Sequence, residues 1–188
     1  PLVELSEKLS SFIPQLNKVF YTDSGSSAIE VAAKIAIQYH AKKGNPQKYL
    51  FASLENGYHG ESVLALSLGD CPLYSSQYSK IQIKTIKLSP MPYLEGKFSS
   101  AWNKMPENNW KKIERTLNEH SKKLAAVFFE PIVQGAGGML IYSPDLLRRI
   151  SNWAAQNNVL VIADEIMTGF HRTGPTFASM HANIIPDI

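Results

Sequence analysis

Asp164 and Glu165 directly follow an apolar run at residues 159–163. The run predicts a buried strand, so Asp164 is expected at its carboxyl end. A carboxylate there needs a cationic or hydrogen-bond-donating partner, because its ionised form is costly to bury. Two ligands meet this need: a Mg²⁺ ion, as at acids that end Walker-B-like strands, and a protonated ring nitrogen. The sequence contains no matching Gly-x-x-x-x-Gly-Lys loop, and we expect a ligand role for Asp164.

Residues 23–27, Asp-Ser-Gly-Ser-Ser, lie between a short predicted strand and a predicted helix. Free amides and hydroxyl groups at a helix N-terminus suit a phosphate, and Gly25 and Ser26 are the candidates here. The same residues also suit a solvated turn with a good helix N-cap, which is the commoner situation.

Residues 57–60, Gly-Tyr-His-Gly, follow the next predicted strand and indicate a tight turn. Tyr58 presented by such a turn can stack on a flat cofactor. The alternative is structural: Tyr58 at the edge of the core and His59 as a local hydrogen-bonding group, which is usual for these residue types.

Two further loops follow predicted strands. Residues 130–138 begin with Glu130 and end with three glycines in four positions, which indicates close backbone approach or tight turning. Residues 168–174 carry Arg172, which can bind an anion as a fixed guanidinium. The alternative for Arg172 is an ordinary loop arginine paired with an acid such as Glu130 or Glu165.

Composition narrows the functional classes. Of the 188 residues, 44% are hydrophobic and 19% charged, which is typical of a folded protein with a core. The net charge is only +3 and no Lys/Arg cluster forms a nucleic-acid-binding face. No apolar run reaches the roughly 18 residues of a membrane-spanning helix. A lone cysteine, Cys71, argues against a disulfide framework or a multi-cysteine zinc site and suits a reducing compartment such as the cytoplasm.

Predicted strands and helices alternate along the chain. The strands are expected at 19–22, 48–53, 81–88, 124–129 and 159–163, and the helices at 2–12, 28–39, 107–120 and from Ser143 onward. Ser27 and Glu30 have the spacing of a capping box, and residues 184–188 resemble the approach to a further strand. The pattern predicts an α/β fold, a mainly parallel sheet with helices on both faces and ligands beyond the carboxyl ends of the strands.

Taken together and in this order, the segments resemble the class III aminotransferases, which have the fold-type I architecture and use pyridoxal 5′-phosphate (PLP). The matching stretches span the chain: residues 23–30, 57–60, 130–131, 163–165 and 169–174. Residues 130–139 are most similar to the biotin-pathway branch, which transfers an amino group from S-adenosylmethionine to 8-amino-7-oxononanoate and gives 7,8-diaminononanoate. The alternatives are a branch acting on an ω-amino acid such as ornithine or γ-aminobutyrate, and a non-catalytic α/β interaction module.

The resemblance also implies roles for individual residues. Gly25 and Ser26 would bind the cofactor phosphate, and Tyr58 would lie over the ring and border the substrate. Asp164 would pair with the ring nitrogen and act in catalysis. The remaining implied positions are Glu130 in cofactor binding and, in support, His59, Glu165 and Arg172. No metal is implied.

Two departures from the family pattern affect these expectations. His171 stands where many relatives have a small residue, commonly glycine. No lysine follows Lys123, and in the family the lysine that forms the Schiff base with PLP would lie a few residues beyond Ile188. Residues 1–188 are therefore expected to form part of the large cofactor-binding domain, without the small domain, and to be inactive alone. The family also implies a homodimer.

Overall fold

The computed structural model describes all residues, 1–188. The chain forms six α-helices and seven strands. The helices are α1 (Leu2–Phe12), α2 (Gly25–Lys42), α3 (Val63–Leu68), α4 (Pro72–Ser75), α5 (Glu107–His120) and α6 (Pro144–Gln156). The strands are β1 (Leu50–Leu54), β2 (Ile86–Leu88), β3 (Tyr93–Leu94), β4 (Leu124–Phe129), β5 (Val133–Gln134), β6 (Leu140–Tyr142) and β7 (Leu160–Ala163). Two 3₁₀ turns cover Ser76–Tyr78 and Ala178–Ala182.

The main sheet has four strands in the order β2-β1-β4-β7, all parallel. Every residue of the central strand β4 is buried. Val127 and Phe129 pack with α5 and α6, whereas Ala126 and Phe128 pack with α2 and α3. Because alternate residues of a strand point to opposite faces, this division places helices on both sides of the sheet. The predicted fold class is confirmed.

A second sheet was not predicted from the sequence. Strands β3, β6 and β5 form a small antiparallel sheet. β3 lies within residues 89–109, where Pro90, Pro92, Gly96 and Pro106 predict an irregular loop. Its strands have only two or three residues each, too short for the alternation of polar and apolar residues to be recognised.

The start of α2 differs from the predicted capping box. Ser24, not Ser27, is the N-cap, and its Oγ accepts a hydrogen bond from the Ser27 amide at 3.1 Å. The Glu30 carboxylate instead accepts hydrogen bonds from the Ser62 hydroxyl and the Leu64 amide. Glu30 therefore joins α2 to the start of α3. The N-cap was misplaced because the serine-rich sequence contains more than one residue that can cap the helix.

Two predicted strands are wrong or too long. Residues 19–22 are irregular, and in the 81–88 stretch only β2 is a strand. Ile83 is instead held by its amide, which donates to the Ser67 hydroxyl. Residues 184–188 form no strand, but the Ile188 amide donates to the Val161 carbonyl and the Ala163 amide to the Ile188 carbonyl. These bonds run along the free edge of β7 in the pattern of a parallel ladder.

No helix combines the length and apolar character needed to cross a bilayer.

Candidate active site

The polar segments singled out in the sequence converge at one edge of the main sheet. Strands β1, β4 and β7 are parallel, so the loops that follow them leave the sheet on the same side. The N-terminus of α2 reaches this edge as well, since a Cβ atom on Gly25 would lie 2.7 Å from Cδ1 of Ile166. The parallel arrangement thus brings together residues more than 100 positions apart.

Asp164 and His59 form a largely buried pair at this edge. Nδ1 of His59 lies 2.9 Å from Oδ2 of Asp164, and the exposed side-chain fractions are 0% and 10%, respectively. Because an ionised carboxylate only accepts hydrogen bonds, the imidazole Nδ1–H is the donor. The other carboxylate oxygen of Asp164 accepts the Ile166 amide at 3.3 Å. The carboxylate is therefore fixed in orientation on two sides.

The N-terminus of α2 presents unpaired donors near this carboxylate. The amides of Gly25 and Ser26 make no hydrogen bond, which is the usual state of the first amides of a helix without a ligand. With 18 residues, α2 is long enough to have a full helix dipole, whose positive end favours anions. This end of α2 has the donors and the sign of charge that suit a phosphate group.

Ser26 also fixes the turn that follows His59. Its Oγ accepts the Glu61 amide at 3.0 Å. The turn passes so close to α2 that a Cβ on Gly60 would overlap Ser26, and Gly60 has a φ of +125°. Only glycine adopts that conformation without strain, so the second glycine of the Gly-Tyr-His-Gly segment is explained by the contact.

Tyr58 is held at three points. Its amide donates to Oε2 of Glu130 at 3.0 Å, its hydroxyl group donates to Glu61 at 2.7 Å, and its ring lies 5.0 Å from that of Tyr74, centroid to centroid. Burial, together with the hydrogen bond to Glu61, raises the pKa of Tyr58 to about 12. The ring is therefore a neutral aromatic surface throughout the physiological pH range.

Glu130 links two loops of the site. One carboxylate oxygen accepts the Tyr58 amide and the other the Gly135 amide, each at 3.0 Å. Burial raises the pKa of this carboxyl group, although the two amides act in the opposite direction. Because both of its carboxylate oxygens accept hydrogen bonds from main-chain amides, Glu130 fixes the position of the Tyr58 backbone. A direct contact with a cofactor stays a prediction.

Two residues predicted to support the site, Glu165 and Arg172, are placed differently. Glu165 lines the cavity between α2 and the end of β7 together with Asp164, and its carboxylate accepts hydrogen bonds from the Thr168 hydroxyl and the amides of Ala178 and Ser179. It thereby caps the 3₁₀ turn at 178–182. Arg172 is exposed and pairs with no acid, so the alternative of an ion pair with Glu130 or Glu165 is not found.

The loop at 168–174 is shaped by backbone conformation. His171 has a φ of +66° and is exposed, with its Nδ1 3.1 Å from the Gly174 carbonyl oxygen. Positive φ favours glycine, so the histidine here carries backbone strain that a glycine would not.

Sequence reasoning missed three residues that shape the site. Ile166 covers Gly25, and Tyr93 and Gln134 bind each other and the main chain of the loop that carries Tyr58. The only sequence signal was position: Ile166 follows the two acids, and Gln134 lies within the glycine-rich loop. Tyr93 lies in the small sheet, and no local pattern indicated it.

Two cavities adjoin α2. One, of 330 Å³, lies between the helix and the end of β7, and its walls include Gly25, Asp164 and Ile166. The other, of 540 Å³, lies between α2 and residues 15–20 and contains none of the predicted site residues. We assign the site to the smaller cavity because it contains the buried carboxylate and adjoins the unpaired amides.

The complete chain, residues 1–188, matches the sequence profile described as aminotransferase class III. The chain belongs to this family. A curated relative from Anoxybacillus flavithermus, named adenosylmethionine-8-amino-7-oxononanoate aminotransferase, is 38% identical over 189 residues. The alignment covers 100% of this chain and 41% of that relative. The chain therefore spans about two fifths of the length of such family members.

Solved structures of aminotransferases share the fold. An (S)-enantioselective ω-transaminase from Thermomicrobium roseum is 31% identical, with a TM-score of 0.85 over 98% of this chain and 42% of that one. An amine transaminase from an uncultivated Pseudomonas species, solved in a PLP-bound form, is 30% identical, with a TM-score of 0.83 and coverage of 98% and 42%.

Proposed function

We propose that these residues form the cofactor-binding part of a PLP-dependent aminotransferase. The proposal rests on one observation: a largely buried carboxylate and a helix N-terminus with unpaired amides lie at the same edge of the sheet. PLP has complementary ends, a pyridine nitrogen that can be protonated and a phosphate group. Asp164 suits the first, and the amides of Gly25 and Ser26 suit the second. Bound PLP supplies an electron sink for the carbanion formed at the amino donor.

The residues of the chain have separable tasks in this proposal. Asp164 keeps a ring nitrogen protonated, because a buried carboxylate favours the cationic form of a neighbour. His59 donates to Asp164 and so holds the carboxylate as an acceptor in one orientation. Tyr58 offers an aromatic face, and Glu130 holds the Tyr58 backbone by accepting its amide.

The proposed reaction is amino transfer from S-adenosylmethionine to 8-amino-7-oxononanoate, giving 7,8-diaminononanoate in biotin biosynthesis. It is supported by the shared name of relatives that are 33% to 41% identical to this chain. A second candidate is transamination of an ω-amino acid such as ornithine or γ-aminobutyrate. The solved ω-transaminases are about as similar in sequence to this chain as its other solved relatives are. This similarity supports the second candidate.

We further propose that residues 1–188 are part of a large domain and that a longer polypeptide supplies the lysine that binds PLP covalently. This proposal rests on the coverage of relatives, 41% of their length, and on the absence of lysine after Lys123. A cytoplasmic location fits the lone Cys71.

The test uses the full-length protein and PLP. We expect a visible absorption band that is lost on borohydride reduction, and amino transfer to 8-amino-7-oxononanoate with S-adenosylmethionine as donor. The matched control is the 188-residue chain with added PLP, which should show no turnover because it lacks the lysine. Faster transfer from ornithine or γ-aminobutyrate would favour the second candidate, and absence of the band would contradict both. Robust turnover by the short chain would contradict the proposed need for a further lysine.

We also propose a homodimer, with the site next to the interface. The segment 72–83, which follows α3, exposes five large apolar side chains: Leu73, Tyr74, Tyr78, Ile81 and Ile83. This surface adjoins the site, because Tyr74 packs on the ring of Tyr58. Exposed apolar surface of this kind is typical of a protein interface.

Sedimentation of the full-length protein tests the dimer. We expect Ile81→Asp to raise the dimer dissociation constant by at least about tenfold, since it places a charge in an apolar contact. Ile185→Asp, at an exposed isoleucine outside segment 72–83, is the control. A wild-type monomer, or equal effects of the two substitutions, would contradict the proposed surface.

A further inference from the structure

Lys87 is a partly buried cation that the proposed chemistry does not use. It lies on β2, opposite Ser53 of β1 in the parallel register. Its Nζ donates to the carbonyl oxygens of Ser67, Leu68 and Gly69 at 2.9, 2.7 and 2.7 Å, and it lies 3.1 Å from the Ser53 hydroxyl. Burial lowers the pKa of Lys87 to about 8, and the nearby Asp70 carboxylate acts in the opposite direction.

The three carbonyl groups belong to the C-terminal end of α3. The last carbonyls of a helix have no partner within the helix, so a cation that binds them fixes the helix end and the residues that follow. Here the following residue is Asp70. Lys87 therefore helps to fix where the main chain leaves α3, together with the hydroxyl groups of Thr85 and Ser53, which donate to the carbonyls of Ser67 and Leu68.

Asp70 connects this helix end to the turn that carries Tyr58. Its amide donates to the Gly57 carbonyl at 2.7 Å, and its carboxylate accepts the Asn56 amide at 3.2 Å. Gly69 is itself packed against the turn, since a Cβ placed on it would lie 3.4 Å from the Gly57 carbonyl oxygen. A shift of residues 67–70 is thus transmitted directly to the residue before Tyr58.

We propose that Lys87 is a positioning residue, which by binding the carbonyls of residues 67–69 holds the turn at 56–58 and so sets the orientation of Tyr58 in the site. The effect on cofactor binding rests on the proposed function, whereas the effect on the turn does not. Lys87 makes no contact with Tyr58 itself and acts through Asp70 and Gly57.

The chain contains a matched control. Lys48 is buried, and its Nζ also donates to three carbonyl oxygens, those of Ser121, Leu124 and Asn157, at 2.9, 3.2 and 3.1 Å. These acceptors lie after α5 and α6 and at the start of β4, at the opposite edge of the sheet from the site. Lys48→Met and Lys87→Met therefore remove the same kind of interaction from the two ends of the fold.

The experiment measures hydrogen exchange of residues 55–61 in the full-length protein without PLP, under conditions in which every variant is folded. We expect Lys87→Met to increase exchange in this segment by about tenfold and Lys48→Met to leave it near the wild-type rate. Lys87→Gln, which keeps a neutral donor group, should lie between. Unchanged exchange in Lys87→Met, or an equal increase in Lys48→Met, would overturn the proposal.

Titration with PLP, followed by protein fluorescence, gives the functional readout. We expect Lys87→Met to weaken binding about fivefold to tenfold, corresponding to loss of one positioning interaction, and Lys48→Met to have no comparable effect. If the wild-type protein does not bind PLP, the proposed function fails, and the exchange experiment still decides the role of Lys87. If the wild type binds and Lys87→Met binds equally well, the inferred effect on the site is wrong.

Discussion

Replacing Asp164 with alanine in the full-length protein should reduce amino transfer by about 10²- to 10⁴-fold. The carboxylate is buried, and removing one partner of a buried charged pair costs about 3–5 kcal/mol. In the proposed reaction that partner is the protonated ring nitrogen, so the loss falls on the chemical step. The measurement is the rate of 7,8-diaminononanoate formation at saturating PLP and donor.

Two further variants separate chemistry from folding. Asp164→Asn keeps the size of the side chain and can still contact His59, so its fold should be intact while its activity falls nearly as far. Glu119→Gln, at an exposed acid of α5, should remain within about twofold of the wild type. Undiminished amino transfer by Asp164→Ala would contradict the catalytic role assigned to this carboxylate.

Replacing Gly60 with alanine should destabilise the chain by about 2–4 kcal/mol and weaken PLP binding. Two costs add: the positive φ of +125°, a strain of about 1–3 kcal/mol for a residue with a side chain, and an overlap of the new Cβ with Ser26. Ser26 lies at the N-terminus of α2, so relief of the overlap displaces the proposed phosphate site. Chemical denaturation and PLP titration measure the two effects.

Gly44 provides the control for backbone strain alone. It has a φ of +79°, and a Cβ on it would meet no atom within 4 Å. Gly44→Ala should therefore cost about 1 kcal/mol and leave PLP binding unchanged. Equal losses of stability and of affinity in the two variants would contradict the argument that the contact with Ser26 matters.

The predictability of the fold varied with the length of the element. The long helices α2 and α5 and the buried strands β4 and β7 were located within a few residues, because their apolar periodicity or continuous apolar runs extend over enough positions. The small sheet was missed and the strand at 19–22 was wrong, because two to four residues carry too little pattern. For β2, alternation of isoleucine with polar residues continued beyond the part that pairs with β1.

The sequence predicted which residues form the candidate site better than it predicted which residues they contact. Asp164, Tyr58, Ser26 and Gly25 lie at strand or helix ends, as their flanking sequence indicated. The two main-chain amides that the Glu130 carboxylate binds were not indicated by the sequence, and its expected role in cofactor binding stays a prediction. A local pattern shows that a polar residue ends a strand, but it cannot show which distant group lies opposite.

The sequence by itself determined the alternating α/β architecture, the polar residues at the ends of the strands and the resemblance to class III aminotransferases. The tertiary structure alone decided that His59 is the partner of Asp164, that Glu130 holds Tyr58 and that Lys87 holds the end of α3. The reason is physical: burial and periodicity depend on neighbours along the chain, whereas these contacts join residues 19 to 105 positions apart and exist only once the parallel strands align their ends.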